Sequence, residues 1–187
     1  MKPALERLAS ETGTSLFMTK QNCRAVDFGI DRNCPPAVWK QIKKDVRKLK
    51  IGKIIVISRY VPSLDINRFI AGVNRVEEAG VPVIWQMMIP SGPYFDPNRA
   101  AEGTQPKPYT RQQYLRDYRQ QTETLERLSA HYGGRLTIVS PLDAICPDET
   151  KPCNFATAGK PNFSDEHHVT AVGAAQVIPL YRPFFQH

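Results

Sequence analysis

Apolar residues in the first dozen positions fall at helical spacing. Ala4, Leu5, Leu8 and Ala9 share one face, Pro3 suits a first turn, and Gly13 follows as a stop, which predicts a helix over residues 1–12. A short strand is expected around Ser15 to Met18. From Pro36, the residues Val38, Trp39, Ile42, Val46 and Leu49 recur every three or four positions and predict a second helix to about Leu49. Lys53 to Ser58 reads as a strand, and the unbroken apolar run Ile54-Ile55-Val56-Ile57 is that of a strand buried on both faces. Ser63 is placed to cap a helix with Ile66, Phe69, Ile70, Val73 and Val76 on one side and Gly80 after its end. Val81 to Met88 forms a third strand, and the Pro- and Gly-rich stretch Pro90 to Pro108 reads as a surface loop near a functional edge.

Thr110 and Gln113 have the spacing of a capping box. They open a long helix to about His131, with Tyr114, Leu115, Tyr118, Leu125 and Leu128 inward and Gly133-Gly134 at its close. Arg135 to Val139 is a fourth strand. No regular pattern follows until Thr170, where a last helix begins before Pro179 disturbs it. Helices alternate with strands throughout, which points to an α/β fold: a doubly wound, mainly parallel sheet flanked by helices, in one domain spanning residues 1–187. Such folds usually open with the strand that becomes central, whereas this pattern opens with a helix. The expectation is a sheet missing its first strand; the alternative is a complete fold that begins with a helix.

Charge adds a candidate surface. The formal net charge is +7, and Lys40, Lys43, Lys44, Arg47, Lys48, Lys50 and Lys53 are concentrated on and just after the second helix. They form either a solvated face or a polyanion site. No nucleic-acid partner is expected, because the aromatic residues show no stacking-motif arrangement. No apolar run is long enough to span a bilayer, and residues 1–12 do not have the form of a secretory signal. The four cysteines fall into two close pairs, Cys23 with Cys34 and Cys146 with Cys153. Short disulfide loops and free thiols both fit this arrangement. A zinc site with His167 and His168 fits less well, since neither spacing is that of a Cys-x-x-Cys knuckle.

The densest chemistry lies in Asn162-Phe163-Ser164-Asp165-Glu166-His167-His168-Val169-Thr170. Asp165 and His168 are three positions apart, so the carboxylate can hold one imidazole nitrogen and leave the other facing a nucleophile. On spacing alone a D-x-x-H is common, and a helix-capping or surface role is the more usual reading. The block Asp165-Glu166-His167-His168-Val169-Thr170, followed by Val172-Gly173-Ala174, resembles the D-D-x-H-L-S-x-x-G-A block that closes SGNH domains, especially those fused to membrane O-acyltransferases of the acyltransferase-3 type. Met1-Lys2-Pro3-Ala4-Leu5 is similar to the start of the helix that follows the family's G-D-S-H nucleophile turn.

The resemblance implies an SGNH/flavodoxin-like fold and a Ser-His-Asp triad in which His168 is the base and Asp165 its partner, with His167 an exposed neighbour. It places both residues beside the start of the 1–12 helix. No G-D-S occurs in the chain, so the serine is expected upstream and the chain as written is expected to be inactive. The family's G-x-N-D block is absent too. In its place Ser58-Arg59-Tyr60 follows the apolar strand. Arg59 and Tyr60 are candidates to line the site, with Arg59 at an oxyanion or an anionic acceptor, or else in a structural ion pair. Ser58 lacks the tight turn that activates a nucleophile.

The function so implied is O-acyl transfer or ester hydrolysis on a cell-envelope glycan. It needs no cofactor or metal. The implied partners are an acyl donor, a glycan acceptor and an N-terminal membrane acyltransferase domain, on the periplasmic side of the inner membrane. In that oxidising setting, disulfides Cys23–Cys34 and Cys146–Cys153 are expected. The rival reading is a noncatalytic glycan- or protein-binding remnant of the same fold.

Overall fold

The computed structural model describes residues 1–16, 35–57, 65–87, 96–104, 110–149, 151–165 and 168–186. These gather into two compact units.

The first unit draws on Thr19–Met88 and Asp117–Val139 and holds the parallel sheet. Its strands β1 (Ile54–Val56), β2 (Val83–Gln86) and β3 (Leu136–Val139) lie in the order β1-β2-β3, with Ile54 opposite Val83 and Val83 opposite Leu136. The strands are shorter than the apolar runs that predict them. β2 is central and wholly buried, which is why Val83-Ile84-Trp85 reads as a continuous apolar run. Trp85 is fully buried and meets the edge of Phe69 at 6.0 Å between ring centroids. Among the described residues β1 and β3 are the sheet's edges.

Phe69 belongs to α3 (Ile66–Glu77), which links β1 to β2. The cap of α3 is Asp65, whose side chain accepts from Arg68 N at 2.8 Å; the expected cap Ser63 lies outside the described residues. Asp at the position directly before the helix satisfies a first-turn N–H as well as Ser does. α3 packs against α6 (Arg119–Tyr132), which leads into β3, and Tyr132 Oη donates to Asn74 Oδ1 at 2.8 Å. Arg135 donates to the nearly buried Glu77 at 2.9 Å.

The basic helix α2 (Pro36–Lys48) buries Trp39 and Val46. Trp39 Nε1 and Lys43 Nζ both donate to Glu78 Oε2, at 3.3 and 3.1 Å. The Lys43 ammonium, helped by the indole N–H and opposed by partial burial, holds the Glu78 carboxyl below its ordinary value.

The second unit draws on Met1–Met18, Ile89–Arg116 and Ser140–His187. In α1 (Lys2–Glu11), Leu5, Leu8 and Ala9 are buried as predicted, and Gly13 at φ 65° turns the chain out of the helix. Ser15 and Leu16 are not in a strand; the rest of the expected Ser15–Met18 strand lies outside the described residues. The stretch expected to be one loop, Pro90 to Pro108, contains α4 (Pro97–Glu102), with Asp96 accepting from Asn98 N and Arg99 N and Gly103 closing it. Asp96-Pro97 at its start and Gly103 at its end are the helix signals that a reading of overall Pro and Gly content overlooks.

The capping box is formed on both sides. Thr110 N donates to Gln113 Oε1 at 2.8 Å, and Gln113 N to Thr110 Oγ1 at 3.2 Å. The helix it opens, α5 (Arg111–Asp117), is short. The single helix expected to reach His131 is interrupted at Tyr118, whose φ −111° and ψ 15° leave the helical range before α6 begins. A one-residue interruption hardly disturbs the apolar spacing, so periodicity does not reveal it.

Two elements after β3 are also new relative to the sequence reading. They are α7 (Leu142–Ile145) and an antiparallel pair, β4 (Ala156–Thr157) with β5 (Lys160–Pro161). Both are too short for a periodic signal. The chain ends with α8 (Ala171–Val177) and a 3-10 helix, Ile178–Phe184, that begins just before Pro179. α1 packs on both, with Glu11 bonded by Arg182 at 3.1 Å and Thr14 Oγ1 donating to Phe185 O at 3.3 Å.

Glu78 gives a pH prediction. A carboxyl depressed in the folded state adds stability above its unfolded value, and that stability is lost as pH falls through the folded value. Urea midpoints should therefore fall between about pH 5 and pH 3, and Lys43→Gln should reduce that dependence. An unchanged acid profile in the variant would show that the Lys43–Glu78 contact adds nothing.

Candidate active site

The residues around Asp165 and His168 are organised from a buried amide beneath them. β4 and β5 are joined by Ala158 and Gly159, both at positive φ, the geometry of a primed hairpin turn. Asn162 follows directly and is fully buried. Its backbone N donates to Phe155 O at 2.8 Å, its Nδ2 to Asn154 O at 2.8 Å, and its carbonyl accepts from Thr170 N at 3.0 Å. Oδ1 accepts from Thr157 Oγ1 at 3.0 Å and from Gln176 Nε2 at 2.9 Å. Gln176 also donates to the Thr157 hydroxyl. One side chain thus ties the hairpin, the Asn154 backbone and α8 together.

Above this amide the chain makes a short loop. Phe163 and Val169 form an isolated antiparallel bridge, and Ser164 N donates to His168 O at 2.8 Å, so Asp165 and His168 stand at the tip. Phe163 is fully buried and packs edge-on against Phe155 at 5.9 Å. Thr170 anchors the other end, donating to Pro161 O at 2.8 Å and accepting from Gly173 N at 3.2 Å as the N-cap of α8.

At the tip, Asp165 uses both carboxylate oxygens on His168. Oδ1 accepts from the His168 backbone N at 2.8 Å, and Oδ2 lies 2.7 Å from His168 Nδ1. Thr170 caps the helix, so Asp165 is not needed for that task. With Nδ1 protonated toward the carboxylate, the neutral ring presents Nε2 as a proton acceptor. The His168 side chain is 75% exposed and that of Asp165 52%, and no described residue hydrogen-bonds Nε2. Such an arrangement can act chemically as an oriented general base.

The support extends beneath Asn154. Cys146 and Cys153 are joined in a disulfide, as expected, and Asn154 N donates to Ile145 O at 2.6 Å. The Arg111 guanidinium donates to Cys146 O at 3.1 Å and Asp143 Oδ1 at 2.8 Å. This cysteine pair is therefore closed to zinc as thiolate ligands. Ser58, Arg59, Tyr60, His167 and the Cys23–Cys34 pair lie outside the described residues. Sequence reasoning found Asp165 and His168 but missed the anchoring roles of Asn162, Thr157 and Gln176. An asparagine three positions after the glycine of a turn was the available signal.

Gly173 faces the same anchor. A Cβ there would stand 2.0 Å from Asn162 O and 2.8 Å from Val169 Cγ1. Gly173→Ala should therefore cost at least about 1–3 kcal/mol in urea unfolding. Asn162→Ala leaves buried partners unsatisfied and should cost a similar ~1–3 kcal/mol. A cost near zero for either would show that the anchor is not structurally required. Replacing Cys146 and Cys153 together by Ser should lower stability by about 2–3 kcal/mol, as expected for a short disulfide loop; equal melting of the wild type with and without reductant would contradict this.

The family model described as the SGNH domain (fused to AT3 domains) matches residues 1–183. No curated protein and no solved structure matches the chain. The match runs from α1 through the Asp165–His168 loop and α8 almost to the end of the 3-10 helix. The chain therefore belongs to the family of SGNH domains fused to AT3 domains.

Proposed function

We propose that this chain carries the base half of a Ser-His-Asp site that transfers an acyl group to, or removes it from, a hydroxyl of a cell-envelope glycan. Membership of the family makes it a domain of the hydrolase and acyltransferase type, with an acyltransferase partner domain. The observation that carries the catalytic reading is the 2.7 Å contact between Asp165 Oδ2 and His168 Nδ1, on an imidazole side chain that is 75% exposed.

In this reading a serine Oγ attacks the acyl carbonyl while His168 Nε2 takes its proton. The same nitrogen returns that proton to the departing alkoxide. A glycan hydroxyl or water then gives its proton to His168, attacks the acyl-serine and releases the serine. Asp165 holds the ring and stabilises the imidazolium in each half-reaction. The family resemblance makes Arg59 and Tyr60 candidates for this chemistry, Arg59 for an oxyanion or an anionic acceptor. No cofactor is required by this chemistry.

The serine is assigned to residues N-terminal to Met1 in the full-length protein, because the family's G-D-S-H nucleophile turn occurs nowhere in these 187 residues. The same segment would supply a strand for the edge of β1, where Ile54 and Ile55 are only half-buried and Ile57 is 40% exposed. The acyl donor reaches the site through the fused acyltransferase domain, on the extracytoplasmic side of the membrane. Among the described residues no helix is long and apolar enough to cross a membrane. The absence of G-D-S also favours a second reading, a noncatalytic remnant that binds a glycan or a protein.

A chromogenic acetyl ester separates the two. The 187-residue chain should give background hydrolysis, and a form extended upstream through a G-D-S-H strand should be active and more soluble. His168→Ala in the longer form should reduce kcat/KM by at least about 10³-fold. An inactive longer form supports the remnant. Robust hydrolysis by the 187-residue chain would instead require an internal nucleophile, with Ser58 the first to test.

The extracytoplasmic assignment can be checked separately. Alkylation of the unreduced native protein should leave all four cysteines unmodified, and labelling of Cys23 and Cys34 would contradict that pairing.

A further inference from the structure

α2 presents a basic strip that the proposed chemistry does not use. At about 100° per residue, Lys40, Lys43, Lys44, Arg47 and Lys48 fall within an arc of about 140°. Lys40, Lys44, Arg47 and Lys48 are exposed, and Lys50 continues the strip just beyond the helix end. Lys43 is engaged with Glu78, and Arg47 Nε donates to Lys43 O at 3.3 Å. Lys40, Lys44, Lys48 and Lys50 have no carboxylate partner among the described residues. The helix has one acidic residue, Asp45, which is half-buried and accepts from Gln41 Nε2 at 2.7 Å. A merely solvated face usually mixes both signs, whereas this one has a single sign.

The form of the strip favours one kind of partner. Trp39 and Val46 are buried and only Leu49, at the C-cap, exposes a large apolar side chain, so α2 and its cap offer charge without a broad apolar face for insertion and without an exposed aromatic ring on which a polymer unit could stack. A helix face is a convex ridge, and its exposed charges are mainly lysines, which act as hydrated point charges rather than planar forks. Such a ridge suits the diffuse field of a broad anionic surface better than the grip needed on a single polyanion strand. We infer that the Lys40–Lys44–Lys48 face of α2 docks on a bilayer surface through anionic phospholipid headgroups.

Vesicle flotation of the 187-residue chain tests this, since bound protein floats and aggregates sink. Vesicles containing about a third phosphatidylglycerol should float at least about tenfold more protein than phosphatidylcholine vesicles, and about 0.5 M salt should abolish the difference. The triple variant Lys40→Glu, Lys44→Glu, Lys48→Glu should lose at least about tenfold in binding, with the corresponding Gln variant intermediate. A control, Lys2→Glu, Arg119→Glu, Arg127→Glu, changes net charge equally at exposed sites elsewhere and should retain binding. Circular dichroism melting establishes that each variant is folded, and the Gln variant replaces the Glu variant if the latter is not.

Equal loss in the control overturns the inference in favour of net charge alone. Equal flotation with neutral vesicles overturns it as well. Binding to a soluble acidic polysaccharide without flotation assigns the face to a glycan instead. Binding to neither leaves it a solvated face.

Discussion

The fully buried amide of Asn162 is the interaction on which the candidate site depends. A buried asparagine is tolerated only when its donors and acceptors are paired, and here the partners come from separate segments: Asn154, Thr157 and Gln176. The consequence is geometric as well as energetic. Satisfying this one side chain sets the hairpin, α8 and the Asn154 backbone in register, and the loop carrying Asp165 and His168 springs from the same residue. The Asn162 carbonyl adds a further demand, because Thr170 N must reach it while α8 passes close by, and only a glycine at position 173 leaves room.

Rigidity at the base contrasts with openness at the tip. Asp165 and His168 are both exposed, yet His168 is held at two levels, its ring by the carboxylate on Nδ1 and its backbone by Ser164 N donating to His168 O. An exposed contact of this kind adds little stability. In the proposed role its value would lie in orientation, since a base held in place beforehand loses little entropy when the reacting groups meet. The Cys146–Cys153 disulfide acts one step further back. It pins the short segment whose Asn154 carbonyl receives the Asn162 amide.

The unit that holds the sheet is built differently. Its centre is apolar, with Trp85 and Phe69 fully buried, and its polar ties lie around the helix ends, where Glu77 and Glu78 meet Arg135, Trp39 and Lys43. Those ties account for some of the charge in the α2 region. Among the described residues they leave Lys40, Lys44 and Lys48 without a carboxylate partner, which distinguishes that surface from the mixed-sign faces of α1 and α6, where Lys2 with Glu6 and Arg119 with Glu123 make i,i+4 pairs.

The sequence by itself determined the α/β class, the parallel strands at Ile54, Val83 and Leu136, the capping box at Thr110 and the identity of the Asp165–His168 pair. These are local properties, set by periodicity, cap chemistry and a three-residue spacing. It did not disclose the interruption at Tyr118, the short α4 and α7, or the β4–β5 hairpin, because a six-residue helix or a two-residue strand carries no period to read. Only the tertiary structure decided that Thr170 rather than Asp165 caps α8, and that Asn162, Thr157 and Gln176 converge. Convergence of residues up to nineteen positions apart depends on which polar groups the fold buries together, and a buried amide must find its partners wherever the chain brings them.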